Sequence, residues 1–82
     1  MKLTLDFLEP GYGAKVSRIS TSGAMKNRLS DLGVEEGTLI RCLHKSPLSD
    51  PVAYDIHGSV IAIRNRDAAL IEIEGIESGN YV

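Results

Sequence analysis

The stretch that most constrains this 82-residue chain reads MKNRLSDLGVEEGT, residues 25–38. Met25, Leu29 and Leu32 recur at i, i+4 and i+7, which sets one apolar stripe on a short helix. Lys26, Asn27, Ser30 and Asp31 fall on its other faces. Gly33 follows where a helix ends in the left-handed backbone conformation, which glycine adopts without a steric cost. Val34 is then placed to pack back on Leu29, the apolar contact of a Schellman stop. Ser22 is the candidate N-cap. Glu35-Glu36-Gly37 turns the chain, and Thr38 opens a strand.

Around this helix the pattern is β. Leu3-Thr4-Leu5-Asp6-Phe7 alternates as a first short strand. Glu9-Pro10-Gly11-Tyr12-Gly13 is turn chemistry. Residues 14–20 form the next strand, and the three-residue gap between Val16 and Ile19 breaks alternation and implies a bulge. Residues 38–45 carry apolar side chains on both faces, Leu39 and Leu43 against Ile40 and Cys42, so cover is expected from the core on one side and from the helix or a partner protein on the other. Residues 47–51 form a proline-bracketed loop. Residues 52–57 and 60–64 are strands joined by a Gly58-Ser59 hairpin turn. Asn65-Arg66-Asp67 turns, Ala68 and Ala69 make a helical turn, and residues 70–76 close the domain with Ile71 and Ile73 inward. The expected architecture is mainly β: a small SH3-like β-barrel of five to six strands with one short inserted helix. It occupies residues 1–76 as a single domain, with 77–82 as a polar tail. Closure of the sheet is expected to remove its edges. Leu29, Leu32, Gly33, Gly37 and Gly58 are assigned structural roles.

A domain this short buries only about 60% of its unfolded surface, so a few apolar side chains decide its stability. The formal net charge of −2, with both signs interspersed, is no polybasic footprint. Aromatic residues are only 5%, so stacking platforms for nucleic acid are scarce, and a nucleic-acid-binding barrel using cations such as Arg18, Arg41, Lys45, Arg64 and Arg66 is the weaker reading. Cys42 is the single cysteine, which excludes an internal disulfide and points to a reducing, cytoplasmic setting. The N-terminus lacks an apolar signal region. The longest aliphatic run, Val60-Ile61-Ala62-Ile63, is too short to cross a bilayer. A membrane role is expected only through a partner.

No reaction centre emerges, and the chain is read as a non-enzyme. Cys42 with His44 or His57 lacks an orienting third group and an oxyanion loop. Gly11-Tyr12-Gly13 lacks the third glycine and the strand–turn–helix context of a phosphate loop. Cys42, His44, Asp55 and His57 are candidate ligands for weak Fe2+ or Zn2+ binding, as in a metal-responsive module, though C-x-H…D-x-H is no established signature. A hairpin through residues 46–51 would set Cys42 near Ile56 or His57, and His44 near Tyr54 or Asp55. What remains is an interaction module. Its expected contacts are Lys26, Arg28 and Asp31 on the helix and Pro47, Leu48, Ser49, Asp50 and Pro51 in the loop, whose prolines reduce the entropy lost on docking. Arg28 is expected to pair with an acid or a backbone carbonyl. Two-sided strands leave self-association open.

The residues also carry a resemblance. Leu8-x-Pro10-Gly11, Arg28-Leu29-x-x-Leu32-Gly33, Gly37, Pro47-Leu48-Ser49-Asp50-Pro51, Gly58, Ile63-Arg64 and Ala68-x-x-Ile71-x-Ile73 follow in order. This pattern resembles the ferrous iron transport protein A (FeoA) family over residues 3–73. The resemblance implies an SH3-like barrel and a cytoplasmic location; apart from the weak metal binding above, no cofactor is expected. It also implies a non-catalytic role beside the membrane ferrous-iron transporter FeoB, which carries a cytoplasmic G-protein domain. A similar pattern occurs at the C-terminus of iron-dependent repressors, but no helix-turn-helix precedes it here. Ser49 stands where the family usually has glycine, which implies a different turn at the loop tip. Ile63 replaces the commoner leucine, a near volume-conserving change.

Overall fold

The computed structural model describes residues 3–45, 47 and 49–78. The strands are β1 (Leu3–Thr4), β2 (Tyr12–Ile19), β3 (Leu39–Lys45), β4 (Val52–Ile56), β5 (Ser59–Ile63) and β6 (Ile71–Ser78). Helix α1 (Gly23–Asp31) lies between β2 and β3, and the single turn α2 (Asn65–Ala68) between β5 and β6. The strands form one antiparallel sheet in the order β1-β6-β2-β3-β4-β5. The architecture is thus mainly β with a short inserted helix. The ladder ends at β1 and β5, and among the described residues no strand pairs on the outer side of β5. The expected removal of edges by closure is therefore incomplete.

The first expected strand is mostly a 3-10 turn, Leu5–Phe7. Side chains at i and i+3 eclipse in such a turn. That brings Leu5 and Leu8 into the core together, while Phe7 is 65% exposed. The Tyr54 hydroxyl donates to the Leu5 carbonyl at 3.4 Å, which seats the turn on β4. The chain reversal after it is shorter than expected: Tyr12 N–H donates to the Glu9 carbonyl, and Tyr12 and Gly13 already belong to β2.

Strand β2 breaks register against β6 between Gly13 and Lys15 and again between Val16 and Arg18. The second break is the bulge implied by the Val16–Ile19 spacing, and it keeps Val16 fully buried while Ile19 packs at the core margin. The core centre is set by Ile40 and Cys42 from β3, Tyr54 and Ile56 from β4, and Ile71 from β6, each at most 1% exposed. Burying one such side chain contributes on the order of 1.5–3 kcal/mol.

The β4–β5 hairpin turns at His57-Gly58, one residue earlier than expected, and Ile56 pairs with Ser59. Both turn residues have positive φ, 53° and 83°, as a type I′ turn demands. The helical turn likewise begins at Asn65 rather than Ala68. Glu77 and Ser78, assigned above to the tail, pair with Gly13 and Tyr12 in β6. Residues 79–82 lie outside the described residues.

Candidate functional site

The site is built from the helix exit outward. Gly33 has φ of 89°. Val34 N–H donates to Leu29 O at 2.8 Å, and Gly33 N–H to Ser30 O at 2.9 Å, the paired bonds of a Schellman motif. Leu29 and Val34 are both buried, which closes the apolar contact. The Thr38 hydroxyl donates to Gly33 O and accepts from Glu35 N–H, each at 3.0 Å, so the whole exit is stitched to one buried side chain. Gly37, φ 91°, donates to Val16 O and anchors the exit to β2. The expected stripe is narrower than its spacing suggested. Leu29 is the one buried residue of α1, Met25 is half-buried, and Leu32 is 36% exposed because the helix ends before it and Leu32 is the C-cap.

The 47–51 loop is fastened rather than free. Asp50 Oδ1 accepts the backbone N–H of Asn65 at 2.9 Å, capping α2 from a distant loop. Asn65 Nδ2 donates to Ser49 O at 2.7 Å. Ser49 holds φ of 61°, a left-handed conformation that glycine adopts without a steric cost. Leu48 lies outside the described residues. Pro47 is exposed and the Asp50–Pro51 peptide is cis.

Loop and helix meet in a groove of about 250 Å³ lined by Met25, Arg28, Leu29 and Leu32 of the α1 segment, by Pro51, and by Ile61, Ala62, Ile63, Arg64 and Asp67. Arg28 and Pro51, expected contacts from separate segments, share it. Lys26 and Asp31 are exposed on α1 but do not line it. The β5 residues and Arg64 were not among the docking contacts expected from the sequence, because an apolar run in a hairpin reads only as core. Arg28 sits in the last turn of α1, where a cation opposes the helix dipole. Among the described residues it has no ion-pair partner, contrary to the pairing expected of it.

A second, wider groove of about 850 Å³ lies beyond the helix exit. It is lined by Glu35, Glu36, Leu39, Arg41, Asp55 and His57 among others. Leu39 is 69% exposed, so the outer face of β3 is not covered by the helix as two-sided patterning suggested. Arg41 and Asp55 face each other across β3 and β4 at 3.6 Å. His57 lies over the helix exit, close enough that a Cβ on Gly33 would meet its ring Cδ2 at 2.9 Å.

The candidate ligands do not converge. Cys42 pairs with Tyr54 rather than with Ile56 or His57, and a register shift puts His44 opposite Ala53. Cys42 points into the core and is 0% exposed, whereas Asp55 is on the other face and His44 and His57 are exposed. Among the described residues no three His, Cys, Asp or Glu side chains group as a metal site. Burial pushes the Cys42 thiol up, opposed by nearby Lys45 and assisted by Glu9. The Tyr54 hydroxyl is raised by the same burial. Neither is a poised nucleophile. Of the scattered cations, Lys45 binds Glu9 at 2.7 Å and Arg41 faces Asp55, which removes two from any free basic surface. No helix among the described residues is long and apolar enough to cross a membrane.

Residues 3–75 match the FeoA domain family. The Fe(2+) transport protein A/Fe(2+) transporter FeoB fusion protein of Porphyromonas gingivalis is 34% identical over 76 residues, 93% of this chain. The chain spans 9% of that protein's length. The solution structure of iron(II) transport protein A from Clostridium thermocellum is 35% identical, with a TM-score of 0.84, covering 88% of this chain and 44% of that one. FeoA of Stenotrophomonas maltophilia, solved with zinc and described as a procaryotic SH3 domain protein, is 23% identical. Its TM-score of 0.80 covers 92% of this chain and 95% of that one, a likeness of fold.

Proposed function

The chain belongs to the FeoA domain family, and from that premise we propose that it is a non-catalytic accessory protein of ferrous-iron uptake. It docks on the cytoplasmic part of a FeoB-type membrane transporter. The observation that carries this reading is the Porphyromonas relative, in which a transport protein A unit and a FeoB unit are fused. Fusion holds two units at a high effective concentration, an arrangement suited to partners that work in contact. The chain itself offers such a partner an open groove bordered by α1, Pro51 and β5.

The docking face is that of α1 and the 47–51 loop, where Arg28, with no ion-pair partner among the described residues, lines the groove. The test is a pull-down with the cytoplasmic domain of FeoB. Wild type is retained, and Arg28→Glu and a variant with the 47–51 loop deleted are not. No retention of wild type, or equal retention of all three folded proteins, refutes the assignment.

A further inference from the structure

We propose that β5 is a strand-addition site, at which an extended segment of the transporter pairs with the outer edge of Ser59–Ile63. The segment places an apolar side chain in the groove against α1 and a carboxylate at Arg28 and Arg64. This deepens the docking reading above and rests on it.

The register makes the backbone argument. In a two-residue hairpin the flanking residues exchange both their hydrogen bonds, here Ile56 and Ser59. Bonded pairs then alternate along the ladder, so Tyr54 with Ile61 and Val52 with Ile63 are bonded too. The N–H and C=O groups of Val60 and Ala62 therefore point away from β4. No strand among the described residues receives them. Two such residues at i and i+2 are what an added strand needs.

Sheet edges are usually guarded by charge, proline or a bulge. Ser59–Ile63 has none of these, and its pairing with β4 runs without a register shift. Val60 is 66% exposed and Ala62 is exposed. The guard is missing where a groove lies: Ile61, Ala62 and Ile63 line the 250 Å³ space together with Met25, Arg28, Leu29 and Leu32 of the α1 segment. That volume admits a side chain or two, not a folded element, which suits a segment lying along the strand.

Charge selects the segment. Arg28 and Arg64 line the groove without ion-pair partners among the described residues, and Asp67 is its single acid. The excess positive charge favours a carboxylate on the segment and disfavours a basic one.

Ala62→Pro is the direct test. Proline is tolerated on an edge strand where the lost N–H faces outward, so this variant keeps its circular dichroism spectrum. Its affinity for the FeoB cytoplasmic domain falls about tenfold or more, the expected loss of an edge hydrogen bond and of close strand approach. Leu39→Glu, in the other groove, binds as wild type. Amide exchange supplies a second readout that needs no variant. In the free protein Val60 and Ala62 amides exchange fast while Ile61 and Ile63 are protected, and the FeoB domain slows the first pair. A folded Ala62→Pro protein with wild-type affinity, or no new protection at Val60 and Ala62 in a complex that does form, overturns strand addition and leaves docking intact. Wild type that fails to bind at all overturns docking itself.

Discussion

The helix exit and the β3–β4 and β4–β5 connections use the same left-handed backbone but fill it with different residues. At the exit, Gly33 and Gly37 take φ of 89° and 91°. At the 49–51 loop and the β4–β5 turn, Ser49 and His57 take 61° and 53°. A residue with a Cβ loses roughly 1–2 kcal/mol in that conformation. The exit avoids the loss, and the two strand connections accept it because a carbonyl of one and a side chain of the other are engaged. Ser49 O receives Asn65 Nδ2, and the His57 ring covers Gly33. The two reversals are therefore coupled: the missing Cβ at Gly33 is the space that His57 occupies.

The largest effect comes from breaking the exit at its apolar contact. Leu29→Ala is expected to lose roughly 2–5 kcal/mol in urea unfolding, because α1 has no other buried residue to hold it. A loss below about 1 kcal/mol would mean that Val34 and the hydrogen bonds fix the exit alone. Gly33→Val combines a strained backbone with the 2.9 Å collision against His57 and is expected to lose about 2–3 kcal/mol. If the reversals are coupled, His57→Gly recovers part of that loss, and strict additivity of the two changes refutes the coupling. Thr38→Val leaves Gly33 O and Glu35 N–H without their partner and is expected to lose about 1–2 kcal/mol, seen as a lower midpoint at unchanged slope. Ser49→Gly is the smallest change and has the opposite sign. Relief of the left-handed strain outweighs the added chain entropy by about 0.5 kcal/mol, so thermal midpoint rises slightly.

The same contrast explains what could be read in advance. Leu29, Gly33 and Val34 are local in sequence, and their hydrogen bonds span a single helical turn, so spacing alone placed them. The bulge in β2 was legible because Val16 and Ile19 cannot both face inward on a regular strand. The hairpin turn was not. Moving it from Gly58-Ser59 to His57-Gly58 shifts the pairing by two residues, which leaves every side chain on its own face. Alternation cannot see such a shift, and turn chemistry decides it. Asp50 capping α2, and Arg28 sharing a groove with Pro51 and β5, depend on long-range contact between segments that are each unremarkable alone.

The sealed position of Cys42 makes the molecule its own reporter of opening. A thiol reagent reaches this sulfur only when the core around it opens, so labelling rate measures the population of opened molecules rather than surface chemistry. The raised thiol pKa adds a pH signature with a definite sign. The folded state stays protonated where the unfolded chain begins to ionise, near pH 8.5, so stability present below that pH is lost as pH rises through it. Labelling at fixed thiolate reactivity should therefore accelerate as pH rises above the ordinary thiol range. A labelling rate that follows only the reagent's own pH dependence would show a sulfur reached without opening.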